Sequence, residues 1–251
     1  MKTAEITAAI TLAAGTVLAS GVAQAGEIKV MMSAAFREAY LELVPQFERA
    51  SEHKVVTIQA PTIDMMTRLK GGETVDLVIM AGASIGELIK DGKIVPGSRA
   101  DLAKSGIGVA VRQGAPKPDI GSADALKRAL LAAQSVAYST GPSGVYLAGL
   151  FQRMGIADAL KPKIKQVKGE PVGAVVARGE AEIGFQQVSE LLPLAGIDFL
   201  GPLPPEIQEI TVFAAGLHVN AKEPEAAKAL VKFLTAPATA PVIKKTGMEP
   251  G

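Results

Sequence analysis

The 251-residue chain has no cysteine, no tryptophan, only 4% aromatic residues and two histidines. Without cysteine there are no disulfides, no thiol catalysis, no cysteine metal site and no lipid-anchored lipoprotein. Scarce aromatics argue against base-stacking platforms and aromatic sugar-binding surfaces. A formal net charge of +1 offers nothing to nucleic acid. His53 and His218 lie far apart and neither sits in H-x-x-x-H or H-E-x-x-H, so no metal site is expected. No G-x-x-x-x-G-K-[ST] occurs, and no G-x-G-x-x-G opens a helix after a strand, so no nucleotide cofactor is expected. Gly141-Pro142-Ser143-Gly144-Val145 lacks the second glycine of G-x-S-x-G, which weakens a serine hydrolase reading.

The N-terminus carries a clear address. Met1 and Lys2 precede an apolar stretch from Ile6 to Leu18, and Ala23-Gln24-Ala25 matches a small-residue cleavage site. The apolar stretch falls short of the roughly 20 residues that span a bilayer. Residues 1–25 are therefore expected to be a signal peptide, with the mature chain beginning at Gly26. Export without disulfides fits a bacterial periplasm.

The mature chain alternates strand and helix patterns. Strands are expected at Glu27–Met32, Lys54–Gln59, Asp76–Met80, Gly106–Arg112, Ser135–Tyr138, Glu182–Phe185 and Thr211–Val219, with the first and third buried. Between them lie helical stripes: Phe36, Tyr40, Val44 and Phe47; Met66 and Leu69; Leu126, Leu130 and Leu131; Tyr146, Leu150 and Met154; and Ala227, Leu230, Val231 and Leu234. Pro45 is expected to kink or break the first of these. Ser84-Ile85-Gly86-Glu87 reads as a capping box, Ser122 as an N-cap, Pro171 as a proline near the first position of a helix, and Ser189 as the cap of a short turn. Alternation of this kind means an α/β fold with mostly parallel, doubly wound sheets. In such sheets ligands bind beyond the carboxyl ends of the strands, at the switch point.

Several strands end in Ser, Thr, Gly or Gln and then start a helix. A helix start presents unpaired N–H groups and partial positive charge, which suits an anion. The donor set expected to converge on one crevice is Ser33, Ala34, Thr62, Ser139, Ser143, Gly144, Val145 and Gln187. Each alone reads as an ordinary cap; the shared topology moves the set toward a small-anion site. Glu170, beside Gly169, is explained by the helix dipole, with a general base as the sharper alternative. Arg37, Arg68 and Lys70 fall near the crevice, where solvated surface charge is the simpler account.

These features together resemble the type II periplasmic solute-binding proteins, near the molybdate-binding branch. The resemblance is carried by Ser33-Ala34-Ala35 after the first strand, by Asp76–Met80, by Pro142-Ser143-Gly144-Val145-Tyr146, and by Arg178-Gly179-Glu180-Ala181-Glu182-Ile183-Gly184-Phe185. It implies two lobes joined by two hinge strands, here Gly106–Val111 and Val212–Leu217. Lobe one would hold residues 26–108 and 213–251, and lobe two residues 109–212. It also implies a monomer that hands a small anion to a membrane permease of the ABC type. The matching ligand positions are Ser33, the Thr62 region, Ser143 with Gly144, Gly169 with Glu170, and Gln187. Two positions depart from the branch. Ala60-Pro61-Thr62 stands where a serine run is usual, and Gln187 where a tyrosine is usual. Both open the site to organic carboxylates. The branch includes a periplasmic aconitate isomerase, which would make this chain a cofactor-free isomerase of a tricarboxylate with Glu170 as the candidate base.

Overall fold

The computed structural model describes residues 26–251; the expected signal, residues 1–25, lies outside the described residues. The first half runs β1 (Glu27–Met32), a 3-10 turn (Ala34–Phe36), α1 (Arg37–Ser51), β2 (Lys54–Gln59), α2 (Thr62–Lys70), β3 (Leu77–Ala81), α3 (Gly82–Lys90), β4 (Ala100–Ser105), β5 (Ile107–Arg112) and α4 (Ala123–Ala132). It continues as β6 (Val136–Ser139), α5 (Pro142–Arg153), α6 (Ala157–Leu160), β7 (Ile164–Val167), α7 (Val172–Ala177), β8 (Ile183–Gln187) and α8 (Val188–Leu191). Last come β9 (Ile197–Pro202), β10 (Thr211–Leu217), α9 (Pro224–Leu234), α10 (Ala240–Lys245) and β11 (Glu249–Pro250).

Two mixed sheets result. The first has the order β11-β4-β10-β3-β1-β2 and the second β7-β6-β8-β5-β9. Within each, three parallel strands wind in the same way. β1 is flanked by β2 and β3, and β6 by β7 and β8. Strand order therefore reverses at β1 in one sheet and at β6 in the other, and these switch points are where crevices open. An antiparallel strand completes each set, β10 beside β3 and β5 beside β8. The chain passes from the first sheet to the second at Gly106 and returns through residues 203–210.

Both faces of each sheet are covered, which is why β3 reads as an unbroken apolar run, Leu77-Val78-Ile79-Met80-Ala81, buried at every position. One face of the first sheet packs on α1 and α9 through Phe36, Tyr40, Phe47, Leu230 and Leu234, and the other on α2 and α3 through Met65, Leu69, Ile85 and Leu88. The second sheet packs on α4 and α5 through Leu126, Leu130, Leu147 and Phe151, and on α7 through Val172, Val175 and Val176. Asp76 ties three stretches of chain together. Its carboxylate accepts the backbone N–H of Lys29 at 2.7 Å, of Lys222 at 2.6 Å and of Glu223 at 2.9 Å.

Several local expectations change. α1 runs unbroken through Pro45, which lies on the exposed side of the helix, so the carbonyl left without an N–H partner is not shut away in the core. Ser84-x-x-Glu87 is no capping box: α3 starts directly from β3 with Ala81 as N-cap, so Ser84 lies inside the first turn. Pro171 is the N-cap of α7, and Gln187 rather than Ser189 caps α8. Ser122 does cap α4, accepting the Ala125 N–H at 3.1 Å. β4, β7, β9 and β11 were not expected.

Candidate functional site

One cavity of about 240 Å³ opens between the two sheets. Its lining comes from the carboxyl ends of β1, β2, β6, β7 and β8 and the helix starts that follow them. Ser33, Ala34 and Thr62 line it from the first sheet; Ser139, Ser143, Gly169, Glu170 and Gln187 line it from the second. The shared winding of the sheets places these loops face to face.

The donors are prepared in different ways. Ser33 has extended backbone, and its N–H bonds the Ile79 carbonyl at 2.9 Å. Its hydroxyl is buried with no protein partner, the state of a donor kept for a ligand. Ser143 is only 1% exposed, and its hydroxyl meets that of Ser139 at 3.4 Å. Ser139 also accepts the Gly141 N–H at 3.2 Å, which shapes the loop before α5. Pro142 opens α5, where a missing N–H costs nothing.

Two expected ligand residues lie outside the lining. Val145 is 72% exposed, and its N–H is spent on the Gly141 carbonyl at 3.1 Å. Gly144 lets the chain approach itself closely: a Cβ there would fall 1.6 Å from the Ser139 carbonyl oxygen. Gln187 lines the cavity but its amide works at the crossing between sheets. With its nitrogen turned toward the Ser105 and Gly106 carbonyls, at 3.2 and 3.1 Å, its oxygen accepts from the Thr211 hydroxyl at 3.0 Å. The opposite orientation would set oxygen against carbonyl oxygen. Gln187 thus joins both passages of the chain between the sheets, and its donors are not free for a ligand.

Glu170, the base considered from sequence, is also committed elsewhere. Arg178 donates to it twice, at 2.9 and 3.2 Å, on the exposed rim. Arg178 binds Glu180 as well and holds that carboxyl down to about 2. Gly169 supplies the turn before it, at φ +82°. Arg37, Arg68 and Lys70 are paired with Glu38, with Glu73, and with Glu87 and Asp91, and none lines the cavity. Across the rim Lys168 meets Asp64 at 3.2 Å. No Lys or Arg is part of the lining, so an anion here meets hydroxyls and backbone N–H groups.

The ionisable group that sequence reasoning missed is Glu190. It lies in α8, lines the cavity, and is pushed up to about 7 by desolvation, offset in part by hydrogen bonds from Gln186 and the backbone at Gln187. Gln186 donates to it at 2.7 Å and accepts the Val172 N–H at 2.8 Å. A carboxyl balanced near neutrality inside a cleft suits proton transfer. Its sequence context, a Glu in a helical turn after a Gln pair, carries no motif. Gln59 and Phe213 also line the cavity without having been singled out. Among the described residues, no group of three or more His, Asp or Glu side chains could hold a metal ion.

The chain matches the family model of the bacterial extracellular solute-binding proteins over residues 28–249. An aconitate isomerase from a Pseudomonas species is 41% identical over 229 residues, covering 89% of this chain and 87% of that protein. The molybdate-binding protein ModA of Azotobacter vinelandii is 29% identical over 250 residues, covering 95% of this chain and 96% of that protein. Among solved structures, the periplasmic molybdate-binding protein of A. vinelandii superposes with a TM-score of 0.75 at 20% identity, covering 89% of this chain and 99% of that one. The sulfate-binding protein SubI of Mycobacterium tuberculosis H37Rv superposes with a TM-score of 0.74 at 17% identity, covering 90% of this chain and 87% of that one. A type II periplasmic-binding-protein fold, a cleft of hydroxyl and amide donors between its sheets, and a family match across nearly all described residues agree: the chain belongs to the bacterial extracellular solute-binding proteins.

Proposed function

We propose that this protein binds a small tricarboxylate in the periplasm and isomerises it by an allylic proton shift, as the relative named aconitate isomerase suggests. The observation that carries this reading is Glu190, a carboxyl brought to about 7 inside the ligand cavity. Binding alone has no need of such a group.

In the proposed step, the Glu190 carboxylate removes a proton from the methylene carbon of the bound unsaturated acid. The C–H electron pair enters the allylic system and gives a delocalised carbanion. Glu190 then returns a proton to the far allylic carbon, the double bond moves by one position, and the carboxylate is regenerated. No electrons are gained or lost overall. The Ser33 and Ser143 hydroxyls and the N–H groups at the starts of α2 and α5 hold the substrate carboxylates and the charge that develops on them.

A second reading, delivery of an oxyanion to an ABC-type permease, is favoured by the cation-free donor set and the ModA relative. One experiment separates the two. Purified mature protein is screened by thermal shift against molybdate, tungstate, sulfate, citrate and both aconitate isomers, and cis-to-trans conversion is followed in parallel. Stabilisation by the tricarboxylates with steady conversion supports the isomerase. Stabilisation by molybdate or tungstate alone, with no conversion, overturns it in favour of carriage.

A further inference from the structure

Gln186 stands at the penultimate position of β8, almost fully buried, with both ends of its amide engaged. Its oxygen accepts the N–H of Val172, the first residue of α7, at 2.8 Å. A backbone N–H can only donate, so this bond fixes which way the amide faces. The NH₂ group is thereby turned toward Glu190, one helical turn along, and bonds its carboxyl at 2.7 Å. The second Gln186 hydrogen bond is thus dictated by the first.

We infer that Gln186 is a positioning residue that anchors one oxygen of Glu190 and so holds the carboxyl at the cavity wall, toward the bound anion. The inference rests on the isomerase reading above for its catalytic meaning, though the geometry is independent of it. Without the anchor, the Glu190 side chain regains rotamers that point away from the ligand. The anchor also favours the ionised form, because an N–H donor stabilises a carboxylate more than a carboxylic acid. Other charges leave this effect legible. The elements packed on α8 are the 3-10 turn at Ala34–Phe36, β5, β8 and α7. Their one ionisable side chain is Arg112, exposed at the end of β5 farthest from Ile107. Glu170, on the same cavity, is neutralised by Arg178, and Lys168 on the rim by Asp64.

The test uses Gln186→Glu, which keeps the acceptor for Val172 and removes the donor, and Gln186→Met, which removes both at similar length. The first readout needs no ligand. It is the titration of the Glu190 carboxyl carbon by NMR, assigned by the signal lost in Glu190→Gln. The expected result is a midpoint raised by about one unit or more in both variants. The second readout is the pH profile of aconitate conversion. Its acid limb should rise with the titration midpoint, and kcat should fall about tenfold or more with KM within about threefold of the parent. Folding is checked by a cooperative melt at acid pH, where the carboxyl introduced by Gln186→Glu is neutral and the melting temperature should stay close to the parent's. Gln186→Met decides, because the carboxylate of Gln186→Glu repels the Glu190 charge by itself; a midpoint and acid limb unmoved in Gln186→Met would overturn the inference. If the parent shows no conversion, the isomerase reading falls, and the ligand-free titration still decides whether Gln186 anchors Glu190.

Discussion

Glu190→Gln should destroy turnover while making the folded protein more stable at neutral and alkaline pH. The Glu190 carboxyl is raised from an ordinary 4.5 to about 7, mainly by desolvation. At each pH between those values the folded chain keeps a proton that the unfolded chain has released. The stability this provides is complete below pH 4.5 and is lost as pH rises through 7. At about 1.4 kcal/mol per unit, the loss amounts to roughly 3 kcal/mol at pH 8. Glutamine is neutral at every pH and has the same shape. Its oxygen accepts from Gln186, as the carboxylate did. For a domain of this size the variant should melt roughly 6–12 °C higher at pH 8 and nearly level with the parent at pH 4.5. The assay is calorimetric melting of both proteins across pH 4 to 9, without ligand, alongside aconitate conversion. Equal pH dependence of melting in the two proteins would show that Glu190 is not desolvated as argued. Turnover retained in the variant would remove it as the base.

Ser33→Ala should weaken tricarboxylate binding by about 1 kcal/mol or more and leave the melting temperature of the free protein nearly unchanged, because its hydroxyl has no protein partner to lose; calorimetric titration and melting report the two. Gly144→Ala should cost about 3 kcal/mol or more of stability, since its Cβ would meet backbone rather than a yielding side chain, measured by denaturant midpoint. Asp76→Ala strands three backbone N–H groups and should cost at least about 3 kcal/mol; a loss under 1 kcal/mol by urea titration would contradict the role given to Asp76. His218 is held below its ordinary 6.5 chiefly by desolvation. It stays neutral in the folded chain while the unfolded chain takes up a proton, so its contribution is present above pH 6.5 and falls as pH drops below it. Melting of His218→Gln should therefore lose less between pH 7 and pH 5 than melting of the parent.

The strands buried on both faces were legible from their apolar runs, and β2 runs over the same residues that its pattern marked out, Lys54–Gln59. The strands that escaped detection have little such pattern. β4 reads Ala-Asp-Leu-Ala-Lys-Ser and β7 Ile-Lys-Gln-Val, and they are strands because β10 and β6 offer edges to pair with. That is tertiary context, which local pattern does not carry. The site divides the same way. Ser33, Thr62 and Ser143 lie within a few residues of strand ends, which pointed to them. Glu190 and Gln186 owe their chemistry to desolvation and to one another, and Glu170 was drawn away by an arginine eight residues on. Gln187 has the chain position of a ligand donor and the partners of a joint between sheets. Pairings of that kind exist only once the chain has folded.

The strand order of the first sheet also bears on when the protein can finish folding. The second sheet uses one unbroken stretch, residues 107–202, and needs nothing from either end of the chain. The first sheet seats β10 between β3 and β4, so the paired strands β1, β2 and β3 stay unjoined to β4 until residue 217 arrives. The Asp76 bonds to Lys222 and Glu223 close later still. Contacts so distant in sequence form slowly. Until β10 is in place, β3 keeps an open edge on a three-stranded unit. The cleft, whose near wall is built on that unit, would take its final form only after the C-terminal segment had closed the sheet.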